Sequence, residues 1–509
     1  MTTQNIIILA TILCYLAAML GVGIKFMRTN NTVDDFYLGG RKLGPFVTAM
    51  SAEASDMSSW LLMGLPGVAY LSGICDAAWT AIGLAFGTWV NWLIVSKRIR
   101  RYSHRIGAIT IPDFFSKRYH DKKSILTCVS AVVIIIFFIP YTASGFAACG
   151  KLFHSLLGVN YMTAMIVCAI IIVAYTTLGG FLAASTTDFI QSIIMTIALL
   201  IVLFFGVNQA GGLSVVIDHA KQLPGYLSMT STYDVATGAA KPYKLLTIVS
   251  LMAWGLGYFG MPHVLLRFMA TKEEEKLTLS RRIATVWVVI SMAIAVFIGV
   301  IGLAMSQEGA VETLEGSASE TIIVRIATLL SSFGPFAAVA GGLILAGILA
   351  STMSTADSQL LAAASSVSQN LMSDFLHIKM SEKTSVVIAR CTVIAISIIA
   401  VFLARDPKSS VFGIVSFAWA GFGAAFGPVA LLALFWRRSN LKGALVGMIV
   451  GGVMVFAWKY GVRPLGGVLD IYELLPAFVV SLAANVLVSL LTKAPEDAML
   501  QEFDEVKNA

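Results

Sequence analysis

Four carboxylates stand inside runs of apolar residues: Glu53, Asp56, Asp188 and Asp357. In lipid such a charge costs about 2.5–3.5 kcal/mol at a helix centre on insertion scales, so each is a functional candidate. None has a basic residue within one helical turn of sequence. A cation from solution is one partner that would balance them. Around Asp56 the sequence reads Ser51-Ala-Glu-Ala-Ser-Asp-Met-Ser-Ser-Trp60. Ser and Asp side chains compete for backbone hydrogen bonds, so this stretch makes a poor continuous helix. Unwound backbone at membrane depth frees carbonyls for a cation and amides for an anion. A second cluster, Trp254-Gly-Leu-Gly-Tyr-Phe-Gly-Met-Pro262-His263, sets two aromatics on one face beside a weakened helix. That combination suits a pocket for a small amphipathic solute. In the third, Leu349 to Gln359, the hydroxyls of Ser351, Ser354, Thr355 and Ser358 form one helical stripe. Uncharged oxygens of this kind suit a weakly held, hard monovalent cation.

The elements that must position these groups follow from composition. Hydrophobic residues make up 58% of the 509 and charged residues 12%, against about 25% charged in soluble proteins. A chain so poor in charge must be solvated mainly by lipid. That argues against a soluble enzyme, a nucleic-acid binder and a secreted disulfide scaffold. The apolar runs are long rather than alternating, which argues against an outer-membrane barrel. The six cysteines read as buried small hydrophobes, without metal-binding spacing. The histidines read as residues at polar helix ends.

A span needs about 20 apolar residues. Thirteen candidates lie near 5–24, 46–73, 77–96, 125–150, 160–179, 186–208, 244–266, 283–305, 333–370, 386–404, 410–435, 442–460 and 470–491. An odd count puts the termini on opposite sides. With the N-terminus outside, 26 of the 35 basic residues fall in cytoplasmic segments and 9 outside, which the positive-inside rule favours. The basic segment Lys97 to Lys123 reads as a solvated anchor, and the acidic segment 306–325, with Glu320, as solvated external surface. Spans 2 and 7 are five apart and both look interrupted, the pattern of inverted-repeat transporters. The expected layout is an extra helix and cytoplasmic loop (1–45), a five-helix repeat (46–208), an external loop (209–243), a second repeat (244–435), two peripheral helices (436–491) and a cytoplasmic tail (492–509).

Several motifs carry a resemblance: Tyr37-Leu-Gly-Gly-Arg41, Ser55-Asp-Met-Ser-Ser-Trp60, Leu62-Met-Gly-Leu-Pro-Gly67, Gly179-Gly-Phe-Leu-Ala183, Thr187-Asp188, Trp254 to His263 and Met353-Ser-Thr355. Over nearly its whole length the chain resembles the sodium/solute symporter family, and within it the proline transporters. The resemblance implies an all-α integral membrane fold with a LeuT-like core of five plus five helices, spans 2–11. It implies alternating-access symport of sodium with L-proline in a bacterial cytoplasmic membrane, with sodium as cargo and no organic cofactor. A lipid bilayer is the expected setting, with no nucleic acid and no obligate protein partner.

By the same resemblance sodium would meet the carbonyls of Ala54, Met57 and Ser351 and the hydroxyls of Ser354 and Thr355. Proline would lie near Ser58, Trp60, Tyr141, Trp254, Tyr258 and Pro262. Asp56 would be essential to sodium coupling, Asp188 would assist sodium passage, and Arg41 would act in gating. Four positions depart from the family's proline transporters: Met261 stands for glutamine, Ser59 for glycine, and Glu53 and Asp357 for neutral residues. Asp357, Ser358 and Asp188 are therefore expected to form a second cation site. The alternatives are another small solute (a different amino acid, an organic acid or a sugar), an ion channel, and a membrane enzyme. No Walker A motif is found, which argues against ATP-driven transport.

Overall fold

The computed structural model describes residues 2–27 and 33–508, so Arg28, counted above toward orientation, lies outside the described residues. Nearly everything is helix, because backbone polar groups in lipid must find their partners internally. Among the described residues ten helices are long and apolar enough to cross a membrane, and eleven if the bent pair Leu245–Phe259 and Pro262–Met269 is one span. Two shorter apolar helices, Trp60–Ser72 and Tyr161–Ala174, accompany them. Large apolar side chains such as Ile170, Phe204 and Leu487 are exposed along these helices, as a lipid-facing surface requires.

The Pro335–Ser365 helix is the central post, extended by a wide turn through Phe375. It packs against Tyr161–Gln209, Thr3–Met27, Ile125–Leu157 and Pro45–Asp56. Spans 5 and 6 are two helices within Tyr161–Gln209, divided by a kink at Gly180 (φ 65°, ψ −173°), where glycine alone adopts the backbone freely. The helix Ile74–Val90 lies so close to the turn Ala253–Phe259 that a Cβ on Gly87 would fall 2.3 Å from the Gly255 carbonyl oxygen. That contact fixes the bent pair against its neighbour.

Three expectations change. Segment 209–243 is more than a loop: it carries a helix, Leu213–Gln222, and an antiparallel hairpin pairing Ser231–Asp234 with Ala239–Pro242. The basic segment is not simply solvated. It folds into helices Ser96–Arg105 and Ile111–Arg118, and Arg118 is buried. The tail helix Asp497–Asn508 docks there, with Glu505 pairing Arg105 and Glu502 meeting His120 at 3.1 Å. Finally, two of the six free cysteines, Cys14 and Cys391, are exposed on apolar helices rather than buried.

Candidate functional site

The helix Pro45–Asp56 ends where its sequence predicts weakness. Met57 leaves the helical region (φ −75°, ψ 70°), and the Ser58 N–H turns back to the Asp56 carbonyl at 2.8 Å. Helix resumes at Trp60 as a widened turn through Gly64. Pro66 explains the widening, because it has no N–H for the carbonyl four residues earlier and its ring would crowd it.

The C-terminal end of that helix gathers aromatics. The Asp56 carbonyl accepts from Trp60 Nε1 at 3.1 Å and from the Tyr141 hydroxyl at 3.2 Å. Its carboxylate Oδ2 accepts from the Tyr258 hydroxyl at 2.5 Å. Ser58 Oγ accepts a long bond, 3.4 Å, from the Trp60 N–H. Trp254 stands 6.2 Å from Trp60 between ring centroids. Five of the six expected solute residues are thus joined. Pro262 is the exception: it lines a separate cavity of about 20 Å³ with Tyr37, Phe181, Arg267 and Ser358, room for roughly one water. Three residues without a sequence signal complete the aromatic group. Tyr472 stacks on Trp254 at 5.1 Å, Phe412 lies 5.0 Å from it, and Trp419 donates to its carbonyl at 2.7 Å.

The hydroxyl stripe meets the same break. Ser354 Oγ donates to the Ala54 carbonyl at 2.7 Å, joining the central helix to the end of Pro45–Asp56. Ser354 and Thr355 also reach the Ser351 carbonyl, at 3.2 and 3.1 Å. Ala54, Ser351, Ser354 and Thr355 therefore form one oxygen-rich junction, with Met57 fully buried at the break. These are carbonyl and hydroxyl donors, the hard, neutral set that suits a monovalent cation.

About one helical turn toward Ser51 lies a second polar centre. Asp188 was expected to draw a cation from solution; its partner here is Arg267. The guanidinium Nη2 lies 2.9 Å from Asp188 Oδ2, and both side chains are essentially inaccessible. Arg267 also donates to Ser51 Oγ (2.8 Å), Ser358 Oγ (2.6 Å) and the His263 carbonyl (2.9 Å). Ser51 donates to Asp188 at 2.7 Å, and Ser358 donates to Asp357 Oδ1 at 3.1 Å. Sequence reading counted Arg267 with a cytoplasmic segment. Its only signal was a basic residue directly after the apolar run Val264-Leu-Leu266. His263 is likewise buried rather than at a polar end, and neither ring nitrogen has a partner.

Arg41 is held by backbone from two other segments. It donates to the carbonyls of Met269 and Ala108, both at 2.6 Å, and of Ser103 at 3.2 Å. It therefore ties its turn to the end of the Pro262–Met269 helix. Glu320, read as solvated surface, is buried. Its carboxylate binds Lys151 Nζ at 2.6 Å, Ser410 Oγ at 2.8 Å and the Val411 N–H at 3.1 Å.

Comparison with known proteins gives a consistent result. The profile of the sodium:solute symporter family matches residues 36–451. The sodium/proline symporter of Salmonella typhimurium is 41% identical over 497 residues, 97% of this chain and 95% of that protein. The osmoregulated proline transporter OpuE of Bacillus subtilis is 40% identical over 502 residues, 98% of each. Among solved structures, a substrate-bound, outward-open Na+-coupled sialic acid symporter superposes with a TM-score of 0.77 at 19% identity. The match covers 96% of this chain and 99% of that one, and shows a shared fold.

Proposed function

The chain belongs to the sodium:solute symporter family, and we propose that it couples inward sodium flow to the uptake of L-proline. The observation that carries this reading is the convergence on Asp56: three aromatic side chains and the Ser354 hydroxyl meet within one broken helix end. The C-terminal end of Pro45–Asp56 carries the negative end of a helix dipole, which favours sodium among Ala54, Met57, Ser351, Ser354 and Thr355. The segment that resumes at Trp60 offers the positive end of its helix dipole to the proline carboxylate. Trp60, Tyr141, Trp254 and Tyr258 then enclose the apolar ring, with Ser58 at its edge. Pro262 acts by starting the second half of the bent pair rather than by touching solute.

We count thirteen spans by adding 45–72 and the part of Tyr161–Gln209 before Gly180 to the eleven helical crossings. Spans 2–11 form two five-helix repeats of a LeuT-like core, with breaks at Met57–Ser59 and Gly260–Met261, and the layout keeps the segment boundaries given above. The N-terminus lies outside and the C-terminus in the cytoplasm, in a bacterial cytoplasmic membrane. Arg41, bonded to Met269 and Ala108, holds the cytoplasmic side closed until the bent pair moves. Asp188 lies on the path by which sodium leaves toward the cytoplasm, its charge set by Arg267. That guanidinium opposes a second cation beside Asp188, Asp357 and Ser358.

Zwitterionic proline carries no net charge, so each sodium moves one positive charge inward. That is worth about 2.3 kcal/mol per 100 mV, or roughly 40-fold accumulation from voltage alone. Labelled-proline uptake into proteoliposomes, competed by a panel of amino acids, organic acids and sugars, tests the assignment. Proline itself is expected to compete best. Stronger competition by another solute would replace proline and leave sodium coupling intact.

A further inference from the structure

The helix Pro45–Asp56 is polar on two opposite faces, and only one is explained by sodium passage and Arg267. Glu53 and Asp56 are three residues apart on the other face, where Cβ atoms stand about 5–6 Å apart. Both are buried, and neither forms an ion pair among the described residues. Each carboxylate has one oxygen satisfied by a neutral donor: Trp92 Nε1 bonds Glu53 Oε1 at 2.7 Å, and the Tyr258 hydroxyl bonds Asp56 Oδ2. The other oxygens, Glu53 Oε2 and Asp56 Oδ1, are buried without a partner.

The helix Ile74–Val90 and its continuation through Val95 supply more oxygens. Thr88 and Asn91 are fully buried; both Asn91 amide atoms lack a hydrogen-bond partner, while the Thr88 hydroxyl lies against the Tyr258 side chain. Thr88, Asn91 and Trp92 share one helical face by their three- and four-residue spacing. Trp92 touches Glu53, while Thr88 adjoins Tyr258, which bonds Asp56. Asn91 lies in the sequence between these two contacts, on the face they share. Unsatisfied polar atoms at full burial are costly and rare, and those of Glu53, Asp56 and Asn91 call for a common partner.

We propose that Glu53, Asp56, Thr88 and Asn91 form a second sodium site, separated by the Pro45–Asp56 helix from the Ser354–Thr355 junction. Two carboxylate oxygens, a hydroxyl and an amide oxygen are the hard ligands such a cation takes, and among the described residues no protein cation pairs with Glu53 or Asp56. The inference rests on the sodium-symport reading and adds a second ion to it. A second charge moved per cycle multiplies voltage-driven accumulation by roughly another 40-fold per 100 mV.

The test is saturation binding of sodium-22 to the purified full-length chain without solute. Two ions per chain are expected for the wild type. Glu53→Gln, which keeps an acceptor for Trp92, should bind one, the other weakened at least roughly tenfold. Thr88→Val, an isosteric exchange, should weaken the same ion and serves if Glu53→Gln does not fold. Ser354→Ala with Thr355→Ala should remove the other ion instead. One ion per chain in the wild type, lost on changing Ser354 and Thr355 and untouched by Glu53→Gln, overturns the second site and leaves sodium symport standing. No sodium binding at all overturns both.

Discussion

The two faces of one short helix solve the problem of buried charge differently. On the Ser51 face, Asp188 lies against Arg267, and Ser51 and Ser358 bond to the same group. On the opposite face, Glu53 and Asp56 meet only the neutral donors Trp92 and Tyr258. The first arrangement carries its own cation, although Asp188 Oδ1 and Asp357 Oδ2 stay buried without a hydrogen bond. The second has no protein cation among the described residues, and a charge without a protein partner is what an ion carried through the membrane can satisfy. The contrast separates carboxylates that hold the fold from carboxylates that hold cargo.

The largest expected effect falls on the ion-paired face. Arg267→Leu leaves Asp188 buried and unpaired, so it should cost about 3–5 kcal/mol, read as a lower Tm of the detergent-purified protein. Asp188→Leu combined with Arg267→Leu should recover most of that loss, because it removes the orphaned charge. If the double variant is no more stable than Arg267→Leu, the pair is not the stabilising unit. On the open face Tyr258→Phe removes a charge-assisted bond worth about 1.5–3 kcal/mol. The sodium concentration for half-maximal uptake should rise roughly 10–100-fold, with Tm falling less than for Arg267→Leu. A fall in Tm like that of Arg267→Leu would erase the distinction between the faces.

Trp254→Ala should raise the proline KM roughly tenfold, about 1.4 kcal/mol, because Trp254 anchors the stack with Trp60 and Tyr472. Sodium affinity should change little, which uptake measured at varied sodium would check. The smallest effect is expected at Asp357, which the structure joins to Arg267 only through Ser358. Asp357→Asn should keep half-maximal sodium within roughly threefold, under about 0.7 kcal/mol. A tenfold rise would return a cation role to Asp357.

The break at Met57 was legible because its cause is local: Ser55, Asp56, Ser58 and Ser59 compete with the helix from within one turn. The Ser351–Ser354–Thr355 stripe was legible for the same reason, since helical period alone aligns it. Arg267 was not, because its partner lies 79 residues away and it stands where an apolar run gives way to polar residues. Nothing in one dimension tells a buried guanidinium from a solvated one there. Glu320 misled in the same way: its partner Lys151 is 169 residues distant, and the surrounding acidic segment resembles open surface. Trp419 and Tyr472 were missed because aromatics in apolar spans are ordinary, and only the turn at Ala253–Phe259 gives them a shared neighbour.

The central claim is that solute rides on sodium. Labelled proline uptake into proteoliposomes, with and without an inward sodium gradient at a fixed negative interior potential, tests it most directly. The account predicts accumulation above equilibrium only with the sodium gradient, and its collapse when an ionophore dissipates that gradient. Equal accumulation in sodium-free medium would contradict it.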